Sequence, residues 1–365
     1  MSDTRAPWSV ESARRGAGWL LGGAIDGDVV VSCRVRLARN LSGFPFLSRA
    51  TLDQRLEVMD AVRAQIARAS LGPALLWANI HELPSLERTL LVERHLMSKE
   101  LAKGDLPRGL AVTLPDERVS VMVNEEDHLR VQCLLPGMAL PQAWAMASEA
   151  DDRLEDGLDI AYSSRYGYLT ACPTNVGTGV RMSVMLHLPA LRLSAEIEKV
   201  KRAASDMGLS VRGFYGENSE ASGDLFQISN QRTLGRPESM ILAELHEQIV
   251  PTVIAYERAA RRNLLDKQPR LVEDQCGRAL GLLLHARLLT PEETMGAISM
   301  VRLGRALNIA DCASIAADDA TLLQLMLQVQ PAHLQRIAER QMDQQQRREY
   351  RADLVRQRLT PATGA

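Results

Sequence analysis

The sequence predicts an α+β domain over residues 1–245, followed by an all-α helical region over residues 246–365. Two observations lead to this prediction. Short β-branched stretches with alternating apolar and polar residues recur through the first two-thirds of the chain, and a period of two is typical of strands. After about Gly235 the pattern changes to long amphipathic stretches, most of them opened by proline, which is typical of successive helices.

The predicted strands come in pairs that suit an antiparallel sheet. The first spans Val29 to Arg36, where the later positions alternate between apolar residues and arginine. Two more, at 118–124 and 128–133, are separated only by the short polar turn 125–127, which predicts a hairpin. The spacing of apolar residues predicts one helix over 191–207. Further strands are expected at 180–188, 209–214 and 225–228.

The C-terminal region is predicted to hold a series of amphipathic helices. Pro251 is expected to kink the first of them, because proline lacks the N–H that the helix needs. Broad apolar faces, such as those of 280–288 and 322–327, exceed what a thin bundle readily covers, and they predict a homodimer through this region. The helices are predicted at 240–265, 269–289, 291–307, 320–329 and 332–359.

The composition indicates which binding partners and which cellular compartment to expect. With 43 basic and 45 acidic residues the formal charge is −2, which argues against bulk binding of nucleic acid or anionic membrane. No apolar run reaches ~18 residues, and the N-terminus lacks a hydrophobic signal segment. Scattered cysteines without a CxxC pair predict reduced thiols in a cytoplasmic protein and no zinc or other metal motif. They are Cys33, Cys133, Cys172, Cys276 and Cys312.

Arginines recur on the predicted strands. Arg34 and Arg36 are two residues apart, so both point to one face of their strand. Two guanidinium groups on one face repel each other unless an anion lies between them. The pair therefore fits either an exposed strand face or a clamp for polyphosphate. Arg130, Arg181 and Arg212 lie on other predicted strands, and five arginines on one sheet suit a highly charged nucleotide.

Two polar turns concentrate carboxylates. The turn NEEDH at 124–128 holds three acids, and the turn at 216–220 holds Glu217 and Glu220. Such turns are either ordinary solvated turns or a means of holding a guanidinium, which two carboxylates can aim by paired hydrogen bonds. A guanidinium that is to react as a nucleophile must also lose a proton, because its pKa is above ~12.

One cysteine, Cys172, stands in the glycine-bearing loop between Gly167 and Arg181. A free cysteine is commonly buried and inert. In a polar loop, however, a thiol can approach a ligand, and nearby positive charge favours its thiolate. Cys172 is therefore a candidate site residue.

Four ordered blocks within residues 24 to 245 resemble the ATP:guanido phosphotransferases, which move the γ-phosphoryl of ATP to a guanidinium nitrogen. The resemblance implies a glutamine-synthetase-like catalytic domain built on a curved antiparallel sheet, with ATP and Mg²⁺. It also implies that Glu126 and Glu220 orient the acceptor guanidinium, that Glu126 accepts a proton, and that the Cys172 thiolate contacts the guanidinium without a covalent bond. The blocks are SCRVRLARN, NEEDHLRVQ, YLTACPTNVGTGVRMSVMLHLP and VRGFYGENSEASGDLFQISNQRTLG.

Departures from the phosphagen kinases narrow the resemblance to bacterial protein-arginine kinases of the McsB type. The first arginine block comes without the helical substrate-guarding domain of phosphagen kinases, and about 120 helical residues follow the last block. Met185 and Tyr215 stand where phosphagen kinases place a histidine and an arginine. The implied nucleotide contacts are Ser32, Cys33, Arg34, Val35, Arg36, His95, Arg130, Arg181, Met182, Ser183, Val184, Met185, Arg212, Gly213, Phe214, Tyr215, Gly216 and Glu217.

The same group carries a C-terminal RDxxRA motif that binds phosphoarginine allosterically. This chain has Arg347-Arg348-Glu349-Tyr350-Arg351-Ala352 there, so the resemblance assigns the site to Arg347 and Arg351, while Arg348 replaces the acid. The alternative is a basic solvated helix face.

The implied function is phosphorylation of arginine residues in proteins. The implied partners are protein substrates with exposed arginines, an activator protein and Clp-type protease machinery. Two alternatives stay open: a phosphagen kinase acting on a small guanidino compound, and a non-catalytic phosphoarginine-binding adaptor.

Overall fold

The computed structural model describes residues 8–21, 25–213 and 222–360. Its strands carry the β-branched and alternating stretches of the sequence. They are β1 (Val30–Arg39), β2 (Ala74–Asn79), β3 (Gly109–Leu114), β4 (Val119–Val123), β5 (Leu129–Pro136), β6 (Tyr162–Ser163), β7 (Gly167–Tyr168), β8 (Val180–His187), β9 (Leu209–Gly213) and β10 (Leu225–Asn230).

The helices surround the sheet and then form the C-terminal region. They are α1 (Val10–Arg15), α2 (Leu52–Arg68), α3 (Ser85–Glu93), α4 (Leu140–Glu155), α5 (Pro189–Leu193), α6 (Ile197–Asp206), α7 (Glu238–Ala243), α8 (Val250–Lys267), α9 (Pro269–His285), α10 (Pro291–Ala306), α11 (Ala310–Ala313), α12 (Asp319–Gln328), α13 (Pro331–Ile337) and α14 (Gln344–Leu359).

Eight strands form one antiparallel sheet in the order β2-β3-β4-β5-β1-β8-β10-β9, which confirms the predicted α+β class. The small hairpin β6–β7 lies apart from it. On one side of β1, Arg36 lies directly opposite Arg181 of β8. On the other side, Ala38 lies opposite Arg130 of β5. Because paired residues share a face, this register gathers the arginines of three strands on one face.

The opposite face of the sheet is covered by helix α4, which packs against β1 and β5. The apolar residues Val35 and Leu37 of β1 are buried there together with Ala143 and Ala147 of α4. Burial of this alternating apolar set fixes which face is the core, since a shift of one residue would bury the arginines. The arginine-bearing face is thereby left for a ligand.

Two predicted helices are each split in two. The segment 191–207 is interrupted between α5 and α6, where Ala195 adopts φ +57. The segment 332–359 is interrupted between α13 and α14, where Glu339 adopts φ +55. Left-handed backbone ends a helix. At the second break Asp343 begins α14 with a capping box. The prediction of one continuous helix was wrong at both places.

The helix around Pro251 continues from 238 to 267, but with a π-helical stretch at Glu244–Ile249 just before the proline. A wider turn of this kind accommodates a residue that has no N–H to donate. The predicted disturbance at Pro251 therefore takes the form of a local change in helix type.

The helical region and the sheet share one hydrophobic core. The apolar face of α12, from Leu322 to Leu327, is buried inside the chain, so it is not the uncovered face that the sequence predicted. Leu271 and Leu282 on α9, and Leu288 after it, remain exposed. The burial of α12 therefore removes it as a self-association face of the kind predicted.

Candidate active site

The arginine-bearing face of the sheet is the floor of a cleft of about 990 Å³. One wall is the segment that follows α3, including His95, Ser98 and Lys99, and the other is the loop around Cys172. Seven cationic and three acidic side chains line the cleft, so a polyanion is the ligand it suits. The cations are Arg34, Arg36, Lys99, Arg130, Arg181, Arg212 and Arg232, and the acids are Glu100, Glu125 and Glu126.

All five arginines predicted from the strand pattern therefore meet in one place. Arg34 donates to Oε1 of Gln227 at 2.8 Å, and Arg181 donates to Oγ of Ser229 at 3.0 Å, so neutral groups on β10 orient both side chains. Burial and the neighbouring arginines lower the pKa of Arg34 to about 10, and they lower that of Arg36 well below its usual range. A bound anion would relieve this mutual repulsion.

A narrow extension of the cleft joins five of the predicted nucleotide contacts with Trp19, Leu134 and Gln227. The five are Ser32, Arg34, His95, Ser183 and Met185. His95 lies on a left-handed turn (φ +59) directly after α3. Its ring packs edge-on against Trp19 with 5.0 Å between centroids. Burial, followed by the charge of Arg34, lowers the pKa of His95 to about 3, so the imidazole is neutral. The extension has a volume of only about 20 Å³, which is room for about one water molecule, so a larger group could enter only if these side chains moved apart.

Other predicted contacts are placed differently. The side chains of Cys33, Val35, Met182 and Val184 are buried in the hydrophobic core and do not line the described cleft. Only their backbone could reach a nucleotide. Gly213 ends strand β9, next to Arg212. The predicted residues Phe214, Tyr215, Gly216, Glu217 and Glu220 lie outside the described residues.

The NEEDH turn places its carboxylates at distinct positions. Glu126 lines the cleft with a side chain 44% exposed, and it pairs with Nη2 of Arg130 at 3.0 Å. Glu125 is buried, pairs with Nη1 of Arg130 at 2.5 Å and accepts a 2.5 Å hydrogen bond from Ser98. Glu125 therefore anchors Arg130, while Glu126 is the accessible carboxylate of the turn.

Asp127 joins this turn to the cysteine loop. Its Oδ1 accepts hydrogen bonds from Nδ2 of Asn40 and from the backbone N–H of Ala171, both at 2.6 Å. Asp127 is 1% exposed, and this burial raises the pKa of its carboxyl. Because Ala171 precedes Cys172, Asp127 hydrogen-bonds the turn that carries Glu126 to the loop that carries Cys172.

Cys172 is the half-buried cysteine of the chain, and the other four are buried. Its Sγ lies 3.0 Å from Oγ1 of Thr174 and lines the cleft. The loop closes tightly against β1: at Gly179 (φ +66) a Cβ would lie 2.5 Å from Nη1 of Arg39. Glycine is required at this position, and the loop is thereby held against the cleft floor.

Sequence reasoning missed several residues that line the cleft, notably Lys99, Gln227, Gln231 and Arg232. Three of them lie in the block DLFQISNQRTLG and could have been found by asking which side chains share the arginine face. Lys99 carries no local signal. Among the described residues, no group of three or more His, Cys, Asp or Glu side chains could hold a metal ion.

The C-terminal arginines have partners inside the chain. Arg351 is 1% exposed and donates from Nε to the carbonyl of Val329 and from Nη1 to that of Leu289, both at 2.8 Å. Arg347 donates to the carbonyl of Met342 at 2.6 Å. The alternative of a solvated helix face is therefore wrong for Arg351. Burial lowers its pKa to about 10.

Comparisons with known proteins place this geometry among kinases of guanidino groups. The family described as "ATP:guanido phosphotransferase, C-terminal catalytic domain" matches residues 57–260, and the "Protein-arginine kinase McsB C-terminal domain" matches residues 269–364. Among the described residues no helix is both long and apolar enough to cross a membrane.

Similar proteins extend over nearly the whole chain. A protein named protein-arginine kinase from Moorella thermoacetica is 45% identical over 353 residues, covering 94% of this chain and 98% of its own length. One with the same name from Symbiobacterium thermophilum is 42% identical and covers 97% and 99%.

Solved structures share the fold. The taurocyamine kinase of Schistosoma mansoni aligns with a TM-score of 0.58 and 26% identity over 66% of this chain and 34% of its own. A lombricine kinase aligns with a TM-score of 0.55 and 24% identity over 69% and 71%.

Proposed function

The chain belongs to the ATP:guanido phosphotransferase family, and from this membership we propose that it is a protein-arginine kinase, which transfers the γ-phosphoryl of ATP to the guanidinium of arginine residues in proteins. The observation that carries this proposal is the cleft, where arginines of four strands lie beside an accessible carboxylate and a half-buried thiol. The matches to protein-arginine kinases include the helical region, which favours a protein acceptor over a small guanidino compound.

In the proposed mechanism the arginines bind the polyphosphate, with Arg34 and Arg181 oriented by Gln227 and Ser229. The acceptor guanidinium lies beside Glu126 and Cys172. A P–N bond forms while the bond from the γ-phosphorus to the ADP oxygen breaks, and Glu126 accepts the guanidinium proton. The protein contributes position and charge stabilisation, as is usual for phosphoryl transfer.

The described cleft offers Glu100, Glu125 and Glu126 as carboxylates, and both Glu125 and Glu126 are already paired with Arg130. This suits Mg²⁺, which binds mainly through substrate phosphates and water and needs few protein ligands. When bound, Mg²⁺ would neutralise phosphate charge. We also assign the second acceptor carboxylate to Glu220, by the resemblance of its block.

Regulation is proposed on the same family grounds. The helical region would dimerise the kinase and bind phosphoarginine near Arg347 and Arg351, and an activator protein and Clp-type protease machinery would be partners in the cytoplasm. Arg347 uses one of its five N–H donors on the carbonyl of Met342 and keeps others for a phosphate, whereas Arg351 is buried, so its participation requires it to become accessible. Calorimetry of the full chain with phosphoarginine tests this: no heat of binding would contradict it.

The deciding experiment incubates the chain with ATP–Mg²⁺ and an unrelated arginine-containing protein, and looks for acid-labile phosphate on arginine by mass spectrometry. Parallel reactions contain free arginine or another small guanidino compound. Transfer to protein supports the proposal. Transfer only to the small compound identifies a phosphagen kinase, and phosphoarginine binding without transfer identifies an adaptor.

A further inference from the structure

The segment that forms one wall of the cleft is hydrogen-bonded to the helical region through residues that do not line the cleft. His95, Ser98 and Lys99 line the cleft. Glu93 and Arg94, which directly precede them, are 5% and 1% exposed. The position of this wall therefore depends on what the two buried charged residues contact.

Among the described residues, the hydrogen-bond partners of Glu93 lie at the start of α13. Its carboxylate accepts hydrogen bonds from the backbone N–H of Ala332 at 2.9 Å and from that of His333 at 3.0 Å. It also lies 2.7 Å from Nδ1 of His333. The first N–H groups of a helix lack partners within the helix, so an acceptor from another element both satisfies them and fixes the helix to that element.

Arg94 adds further contacts to this connection. We call the set of Glu93, Arg94 and His333 the joint. Arg94 forms a two-pronged pair with Glu117, with Nη2 at 2.7 Å, and donates from Nη2 to the carbonyl of Gly16 at 2.7 Å. Its Nη1 lies 3.5 Å from Nε2 of His333. A proton on Nδ1 of His333 lets the imidazole donate to Glu93 and accept from Arg94 while neutral. Burial, which lowers the pKa of His333, agrees with a neutral ring.

Trp19 links the joint to His95. The carbonyl of Arg94 accepts a 3.0 Å hydrogen bond from Nε1 of Trp19, whose ring packs on His95. The carbonyl of His95 accepts a 2.8 Å hydrogen bond from Gln132. A left-handed conformation at a residue other than glycine persists only where surrounding contacts impose it. Here Glu93, two residues before His95 in the chain, is itself held by α13.

We infer that Glu93 and His333 are positioning residues, through which α13 sets the nucleotide-side wall of the cleft and the helical region controls the affinity for ATP. The inference rests on the proposed function, because it takes ATP to be the ligand of that wall. Neither residue lines the described cleft, so any effect on ATP must pass through the turn at His95.

The test compares Glu93→Gln and His333→Ala with the wild-type full chain by calorimetric titration with ATP–Mg²⁺. We expect each variant to bind ATP about tenfold more weakly, a typical coupling between sites, with the KM for the acceptor protein unchanged. His333→Asn keeps an N–H donor near the position of Nδ1 and should recover most of the affinity. ATP affinity within twofold of wild type in both Glu93→Gln and His333→Ala would overturn the inference.

Glu257→Gln is a matched control for loss of stability alone. Glu257 is also fully buried, and it accepts from the backbone N–H of Ala190 and of Leu191, joining α8 to α5. It does not line the described cleft. We expect its thermal stability to fall as in Glu93→Gln while ATP affinity stays at the wild-type value. An equal loss of ATP affinity in the control would overturn the inference.

The titration needs no acceptor, which separates this inference from the proposed function. A wild-type chain that binds ATP but transfers nothing to arginine would refute the proposed function and leave the comparison of variants valid. A wild-type chain that does not bind ATP would overturn both.

Discussion

Arg34 in the cleft and the arginines buried behind it have opposite electrostatic surroundings. Arg34 donates to the neutral side chain of Gln227 on β10, and the charged groups that lower its pKa are other arginines. At the joint between sheet and helical region, Arg94 pairs with Glu117. Within the helical region, Arg351 donates to backbone carbonyls of two helix boundaries. The charge of Arg34 is therefore opposed by its charged neighbours, whereas Arg94 and Arg351 have their acceptors in the protein.

The difference teaches what each set is for. Like charges held together cost free energy that a bound polyanion would recover, whereas a buried arginine with protein acceptors holds elements in place. Changes in the cleft should therefore alter binding or turnover and leave stability intact. Changes at the joint should alter stability first.

The largest effect is expected at the accessible carboxylate. Glu126→Gln keeps the shape of the side chain and removes the proton acceptor, so turnover should fall by ~10²–10⁴, the scale of general-base removal. ATP affinity and the melting temperature should stay close to wild type. Steady-state kinetics with a protein acceptor measure this, and wild-type turnover would refute the role of Glu126.

Arg351→Ala should give the largest loss of stability. It removes the donor to two buried carbonyls, and unsatisfied buried groups cost about 1–3 kcal/mol each, so the free energy of unfolding should fall by about 3 kcal/mol. Urea denaturation followed by circular dichroism measures it. A variant as stable as wild type would contradict the structural role of Arg351 and would leave ligand binding as its only role.

Arg34→Ala and Arg181→Ala should each weaken ATP binding by about tenfold to a hundredfold, since a hydrogen bond to a charged group contributes about 1.5–3 kcal/mol. Turnover should also fall, because phosphate charge redistributes during transfer. Stability should not fall in Arg34→Ala, because a charge that the neighbouring arginines repel is removed. Calorimetry with ATP–Mg²⁺ is the measurement, and unchanged affinity in both variants would rule out the clamp.

Cys172→Ser should produce the smallest change, a fall in activity of about tenfold, equivalent to ~1.4 kcal/mol in the barrier, without unfolding. A serine hydroxyl keeps the hydrogen-bonding capacity of the side chain but does not ionise as a thiol can. In the wild type, ATP plus acceptor should slow alkylation of Cys172, followed by peptide mass spectrometry. If Cys172 proved the least reactive of the five cysteines, its assignment to the active site would be refuted.

Sequence patterns predicted the strands that carry the site and most helix starts. The alternation around Arg34 and the polar turn before Arg130 gave β1, β4 and β5 within a few residues. Strands β2 and β3 were not predicted, because a short apolar run such as 74–79 has no period of its own. Helices α2 to α4 were not predicted either, although the capping box of Thr51 and Gln54 is a local signal for the start of α2. The breaks at Ala195 and Glu339 were missed, since both residues are compatible with a helix and only packing imposes positive φ.

The site divides in the same way. Local sequence determined which side chains exist to do the chemistry: arginines two apart on a strand, carboxylates in one turn and a thiol beside glycines. Tertiary structure decided their use. The register of β1 and β8 sets Arg36 against Arg181, Asp127 ties the carboxylate turn to the thiol loop, and Glu93 places the turn of His95 against α13. Spacing within an element fixes direction, but contacts between distant residues depend on register and burial, which no local period encodes.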